Sequence, residues 1–436
     1  MIILNLPDSQ KGYFELEVCT SDGLQREITS YSVIEGAALD DIEPSDSPFG
    51  INTAFRKNPE GVLEEALTRE VRILGAKSIR DGSEWRSVER EKGVYAPQLN
   101  DDEVRQLAQE YNLDYLYVAG YDNPLYDKNT STGAGQTPYT EEGRSGFANM
   151  VNWLAEDYRY IGIYNEWNGG FGKRGESPAD SKPYYYHALV KKTYEVVRKN
   201  HPDTILAGPS FAQGGYEGGT QFLSALGQLG TLQYLDVISG NMYRVDLRPE
   251  FIREKLLETD DVVKSYNSGE AKELWVTETG YPIWGDITEE VSAKYLVPLY
   301  VNALAGGAKR VFWYNLADTG CDPQNREENY GLLRHEDNSM GGNTAKPSFV
   351  AYSVMTRQLT GLTYERDLSD GTVQAHSFTD GDRRCTVLWS YDGGVFSFEA
   401  DAAVTITDFM GSSRTVFPEN GVVTVSVSDT PIYAEI

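Results

Sequence analysis

Two glutamates stand where short apolar runs end. Glu166 closes YIGIYNE directly after Asn165, and Glu278 closes the run ELWVTE. A carboxyl group at the end of a buried strand is where an α/β barrel presents its reactive groups, because the loops that follow the strands build that face. One such carboxyl, kept protonated, can hand a proton to a leaving oxygen. A second, ionised, can attack the carbon that the oxygen leaves, or activate water toward it. That pairing opens acetal bonds, the glycosidic bond among them. Either glutamate alone reads as a helix cap or a salt-bridge partner. Two at matched strand ends, each beside aromatic residues, favour a shared site.

The elements needed to position them are present. From about Pro48 onward, eight apolar runs alternate with amphipathic stretches: Phe49–Phe55, Lys77–Trp85, Asp114–Tyr121, Tyr160–Glu166, Thr204–Ser210, Leu235–Tyr243, Glu273–Thr279 and Lys309–Leu316. The intervening segments, such as GVLEEALTREVRILG and YYYHALVKKTYEVVRKN, repeat their apolar residues at helical spacing. Eight strand–helix units predict an α/β fold, a (β/α)8 TIM barrel over residues 48–361, in preference to a doubly wound open sheet. Glu166 and Glu278 are 112 residues apart, three units of the series, which puts them across the mouth of such a ring.

Both ends of the chain read differently. Residues 1–47 carry the alternating runs GYFELEV and REITSYSV. Residues 362–436 carry TVQAHSF, CTVLWSY, GVFSFEA, AVTITDF, VVTVSVS and IYAEI between Gly, Asp, Asn and Pro. The first 47 residues are too few for a core of their own. The economical arrangement is one accessory β-sandwich, built from the C-terminus and joined by the N-terminal strands.

Composition narrows the partners. The 436 residues hold 39 Lys and Arg against 66 Asp and Glu, a net charge of −27, which argues against nucleic-acid binding and against anionic membrane surfaces. No apolar run approaches the ~20 residues of a membrane span. Three cysteines (Cys19, Cys321 and Cys385) and four histidines make a disulfide framework or a structural zinc site improbable. No HExxH, Walker loop, GxSxG or dinucleotide fingerprint occurs, so no metal or cofactor is implied. The opening MIILNLPDSQKGYFELEV shows no signal peptide, and a secreted or periplasmic location is expected if a leader has been removed.

Further residues fall at strand ends. Arg80 in KSIRDGSEW ends the second strand, Tyr243 in VISGNMYR the sixth, and Trp313 in RVFWYNLAD lies on the eighth. From residue type alone, Arg80 equally suits an ion pair inside the barrel, and Tyr243 and Trp313 equally suit core packing. Trp85, Trp167 and Trp284 follow strand ends and are candidates to stack on sugar rings, whereas Trp275 and Trp389 sit within strand patterns and suit the core. Tyr121, with Asp122 and Asn123, suits polar contacts or a turn equally well. Two loops stand out. Gly169–Ser177 carries Lys173 and Arg174, a solvated pair or a subsite for an anionic sugar. Ala317–Asn343 is long, polar and glycine-rich, and is expected to overhang the cleft.

Taken together, Asn165–Glu166, Glu278, Arg80, Tyr243 and Trp313 resemble clan A of the glycoside hydrolases. The phrase SEWRSVEREKGVY, the chain layout and the terminal sandwich are most similar to family 39 and its relatives, among them β-xylosidases and bacterial endoglycosidases. The resemblance implies a retaining glycosidase for β-linked glycans, with Glu166 as acid/base and Glu278 as nucleophile. It also implies Arg80 and Tyr243 as supports of the nucleophile, Asn165 on the sugar 2-OH and Trp313 in the sugar floor. Two positions depart from the pattern: Asn241, where many relatives carry histidine, and Trp167, where proline is frequent. The alternative from another class is a carbohydrate-binding protein on the same barrel whose chemistry has lapsed.

Overall fold

The eight apolar runs form eight parallel strands that close on themselves. In the computed structural model, which describes residues 10–21, 26–35, 39, 41–55, 62–98, 101–214, 218–246 and 248–435, they are β1 (Phe49–Asn52), β2 (Ser78–Asp81), β3 (Asp114–Ala119) and β4 (Tyr160–Ile163), then β5 (Ile205–Ala212), β6 (Val237–Asn241), β7 (Glu273–Thr279) and β8 (Ala308–Tyr314). Each strand pairs in parallel with its sequence neighbours, and β8 pairs with β1 to complete the ring. Every residue of β1, β2 and β4 is buried, as expected where side chains face either the barrel interior or the helices outside. Leu116, Tyr160, Val237, Trp275 and Phe312 form a packed cluster, and the Arg310 guanidinium lies over the rings of Tyr160 and Trp275 at 4.8 and 4.7 Å. Gly50 leaves room for this packing, since a Cβ there would lie 2.5 Å from the Phe312 ring.

Among the described residues, eight helices of ten residues or more surround the strands: α1 (Val62–Leu74), α2 (Asp101–Glu110), α3 (Glu141–Leu154), α4 (Pro183–Asn200), α5 (Gly219–Gln228), α6 (Phe251–Tyr266), α7 (Glu289–Ala305) and α8 (Pro347–Leu359). Their starts follow local chemistry. Thr140 and Thr288 accept hydrogen bonds from the amides of Gly143 and Val291, capping α3 and α7. Pro183 and Pro347 open α4 and α8, where a missing N–H leaves nothing unpaired.

The C-terminal strands make a six-stranded antiparallel sheet in the order Thr363–Asp367, Gln374–Thr379, Arg384–Trp389, Ile432–Glu435, Val404–Asp408 and Ser413–Val416. Gly394–Glu399 pairs with Val422–Val427 as a second sheet. Ala375, Leu388, Ile406 and Ala434 pack against Phe396, Val423 and Val425 between the two sheets. Alternate residues of the larger sheet, including Phe378, Val387, Trp389 and Tyr433, join the core of the barrel instead. Glu250, just before α6, accepts hydrogen bonds from the Trp389 indole and the Tyr391 hydroxyl, both at 3.0 Å.

The N-terminal strands Gly12–Cys19 and Arg26–Val33 pair with each other and form no ladder with the C-terminal sheets among the described residues. The hairpin meets the rest of the molecule by side-chain contact. Arg334, fully buried, donates to the Tyr13 hydroxyl, to Ser30 Oγ (both 2.8 Å) and to both carboxylate oxygens of Glu289. Thr29 donates to the Met340 carbonyl, and Ser412 reaches the Lys11 carbonyl from the C-terminal sheet. Residues 1–9, 22–25, 36–38 and 40 of the expected N-terminal segment lie outside the described residues.

Candidate active site

At the end of β4 the chain turns sharply. Tyr164 and Glu166 both adopt left-handed backbone angles (φ 66° and 43°), a region that non-glycine residues rarely enter. Hydrogen bonds from Tyr164 N to the Ala119 carbonyl and from Glu166 N to the Ser210 carbonyl hold the turn against the neighbouring strand ends. The Glu166 carboxyl thereby reaches the mouth of the barrel. Glu278, on β7, lies opposite Asn241 in the β6–β7 ladder. Both carboxyl groups border one open cleft of about 560 Å3, within the ~300–1,000 Å3 typical of small-molecule sites.

One hydrogen-bonded network connects them. Arg80, 5% exposed, donates from Nη1 to Glu278 Oε1 (2.6 Å) and Asn52 Oδ1 (2.7 Å), and from Nη2 to Asn165 Oδ1 (2.8 Å). The Tyr243 hydroxyl donates to Glu278 Oε2 at 3.1 Å. Asn241 Nδ2 donates to Glu166 Oε1 (2.9 Å) and to Asn165 Oδ1 (3.2 Å), while its own Oδ1 accepts from Thr277. Since an arginine only donates, Asn165 Oδ1 must be the acceptor, so its Nδ2 is left to donate into the cleft.

The two carboxyl groups have different surroundings. Glu278 accepts from a guanidinium and a phenol, a charge-assisted pair of contacts suited to an anion. Burial chiefly, and then the charge of Glu278, push the Glu166 carboxyl up to about 7, against the hydrogen bond from Asn241 and the charge of Arg80, which pull it down. Burial and the Glu278 charge raise Tyr243 well above the ordinary phenol range, so it remains a donor. The mouth of the barrel can therefore present a proton-bearing carboxyl and a carboxylate to one ligand.

Arg80, Asn165, Glu166, Asn241, Tyr243 and Glu278 are brought together, and Tyr121 lines the same space. The tryptophans are not. Trp313 has no exposed surface and donates to the Tyr330 carbonyl; its neighbour Tyr314 faces the cleft instead. Trp167 is buried against Tyr164 and Tyr186 with its N–H on the Lys182 carbonyl. Trp85 is stacked on Tyr126 with its N–H on Glu89 at 2.6 Å. These three rings satisfy both their apolar faces and their N–H groups inside the protein. Trp284 is 43% exposed in the loop after β7, but is not among the residues lining the cleft.

Several lining residues were not foreseen from sequence. Asn52 ends β1 and pairs with Arg80 of β2, so the strand-end rule would have found it. Phe171, Gln213, Arg244 and Asp246 come from the loops after β4, β5 and β6. Arg326, Glu327 and Tyr330 come from the Ala317–Asn343 loop, which borders the cleft as its length implied. Lys173 and Arg174 face carboxylates: Lys173 pairs with Asp180, and Arg174 pairs with Asp122 at 2.9 Å while lying 4.0 Å above the Tyr121 ring. Among the described residues, one trio has metal-ligand atoms close together, His335, Glu336 and Asp337, none of which lines the cleft of the two glutamates.

No protein-family model matches the chain, and no curated protein matches it. Solved structures do. A family 39 glycoside hydrolase from the gut symbiont Bacteroides cellulosilyticus superposes with a TM-score of 0.83 at 24% identity, covering 98% of this chain and 88% of that one. A family 39 β-xylosidase from Caulobacter crescentus gives 0.63 at 15% identity over 92% of this chain and 98% of its own. A family 30 endoxylanase from Clostridium papyrosolvens gives 0.62 at 12% identity, with 92% and 98% covered. What they share with this chain is the fold. It is a (β/α)8 barrel with an accessory β-sandwich, over nearly the full length.

Proposed function

We propose that the chain is a glycoside hydrolase that cleaves β-linked glycans or oligosaccharides with retention at the anomeric carbon. The observation that carries this reading is the division of labour between two carboxyl groups on one cleft. Glu278 is held by Arg80 and Tyr243, while Glu166 is pushed up to about 7. Glu166 protonates the departing oxygen as Glu278 attacks the anomeric carbon, forming a glycosyl ester. Esterification removes the Glu278 charge, so the Glu166 carboxyl falls in pKa and becomes the base that activates water for the second displacement. Asn165 Nδ2 faces the sugar 2-OH, a contact that tightens as the ring approaches an oxocarbenium ion. The names of the structural neighbours, glycoside hydrolases of families 39 and 30, support the same reading.

The test is turnover on a panel of aryl β-glycosides and β-linked polysaccharides. Glu278→Ala is expected to abolish hydrolysis. Glu166→Ala should spare the first displacement on aryl substrates whose leaving group needs no proton, seen as a burst of released phenol, and slow the second, for which it is the base. Proton NMR of the first-formed product should show the β-anomer. An inverted product, or full activity in Glu278→Ala, overturns the reading; binding without turnover would favour a carbohydrate-binding protein.

A further inference from the structure

We infer that a second cavity on the same face of the barrel binds the next sugar on the glycone side, so that the protein takes at least two sugar units beyond the cleaved bond. The inference rests on the glycosidase reading above. Glu278 borders two spaces, the open cleft and a smaller pocket beside it formed by Asn52, Ala54, Arg80, Asn165 and Tyr314. Glu166 borders the open cleft alone of these two. In a displacement at the anomeric carbon the departing oxygen lies beside the acid, and the retained ring lies on the nucleophile's other side. The smaller pocket is therefore the glycone side, and the open cleft receives the leaving group.

The glycone side does not end there. Ala54 also lines a further cavity of about 170 Å3, whose other walls include Thr53, Phe55, Asp318, His335 and Asn343. The residue common to both spaces thus presents a single methyl group. Ala54 has a left-handed backbone (φ 55°), where a β-branched or bulky side chain would be strained. The partition is also held in place: Asp81 Oδ2 accepts from Thr53 Oγ1 at 2.9 Å and from the Phe55 amide at 2.5 Å. A glycan leaving the smaller pocket toward its non-reducing end crosses Ala54 into this cavity.

Its lining suits a sugar. Phe55 and Leu67 supply an apolar side, and His335, Glu336 and Asn343 supply polar groups opposite. Among the described residues no hydrogen bond engages the Asn343 amide. The Asp337 amide donates to His335 Nδ1, which leaves Nε2–H of the neutral ring as a donor. The Lys346–Asp318 ion pair, buried at 2.7 Å, fixes the wall at Asp318. An enzyme that removes single sugars needs a closed glycone pocket; this one continues past Ala54.

The test compares 4-nitrophenyl β-xyloside with 4-nitrophenyl β-xylobioside, and the corresponding glucose pair, since the second sugar of each bioside reaches the cavity and the monoside does not. The wild-type protein should show kcat/KM at least tenfold higher for the bioside of whichever pair it cleaves. His335→Ala, and Asn343→Gly (which suits the φ of 55° there), should shrink that ratio severalfold with unchanged melting temperatures. Equal kcat/KM for monoside and bioside in the wild-type protein overturns the subsite while leaving the glycosidase standing. So does a ratio that neither variant moves. Hydrolysis of neither pair nor of any β-linked glycan overturns both.

Discussion

The Glu166 side chain owes its direction to a backbone conformation that few residues adopt, and its neighbours are shaped around it. A Cβ on Gly169 would meet Glu166 Cβ and Oε2, both at 3.1 Å, and Ala212 Cβ at 2.9 Å. Gly169→Ala is therefore expected to lower kcat at least tenfold through displacement of the acid, with little loss of melting temperature because the position is exposed. Protonation follows the same geometry. Only the protonated form of Glu166 donates, so kcat/KM should fall as pH rises above about 7. Removing the like charge in Glu278→Gln should lower the Glu166 pKa, read by carbon NMR of labelled glutamate; an unmoved titration would contradict the coupling. Removing its donor in Asn241→Ala should raise that pKa instead and shift the alkaline limb upward. The raised pKa also bears on stability. The folded state keeps a proton that the unfolded chain loses above the ordinary 4.5, so this group's stabilisation declines as pH rises through the window from 4.5 to about 7. Glu166→Gln should accordingly melt higher than the wild-type protein at pH 8 and nearly equal to it at pH 4.

Individual elements explain what could and could not be read from sequence. The barrel strands are recognisable as apolar runs, the rule that strand ends carry chemistry points to Asn165, Glu166 and Glu278, and the family resemblance adds Arg80, Tyr243 and Asn241. Which face a side chain takes was not recognisable, because a strand buried on both sides has no polar alternation to mark parity. The resemblance implies that Trp313 faces the cleft, and the strand's pattern cannot correct it; Trp313 is buried and Tyr314 lines the cleft. The strands Thr363–Asp367 and Ser413–Val416 went unseen for the opposite reason: they are the two edges of their sheet, exposed and rich in charged or hydroxyl side chains. The N-terminal hairpin shows a third limit, since its attachment depends on Arg334, 301 residues beyond the hairpin's last residue, Val33. Arg334→Met would leave the Tyr13 hydroxyl, Ser30 and the half-buried Glu289 without their shared donor, at about 1–3 kcal/mol for hydrogen bonds to a charged group. Thermal melting should show that loss, and a raised KM should accompany it, because Arg334 belongs to the loop that brings Arg326, Glu327 and Tyr330 to the cleft.

Across the whole molecule, barrel and sandwich share one apolar core, and a histidine lies within it. His376 is fully buried, stacked on Trp389 at 5.2 Å and near Tyr364, and neither ring nitrogen has a hydrogen-bond partner among the described residues. Burial chiefly pushes it down to about 4, with Asp367 pulling upward and Arg253 downward. The unfolded chain takes up a proton below the ordinary 6.5 while the folded state resists until about 4, so stability drains away as pH falls through that window. His376→Phe should flatten this part of the melting profile; an unchanged slope would place the acid sensitivity elsewhere.

The hydrogen bonds from Trp389 and Tyr391 to Glu250 carry a lesson for anyone rebuilding this protein. Glu250 lies seven positions after Tyr243 in sequence, so the accessory sandwich is hydrogen-bonded to the barrel close along the chain to the phenol that donates to Glu278. A chimaera joining this barrel to a foreign sandwich would keep both glutamates and still lose this anchorage, unless the graft brought an indole and a hydroxyl to meet that one carboxylate.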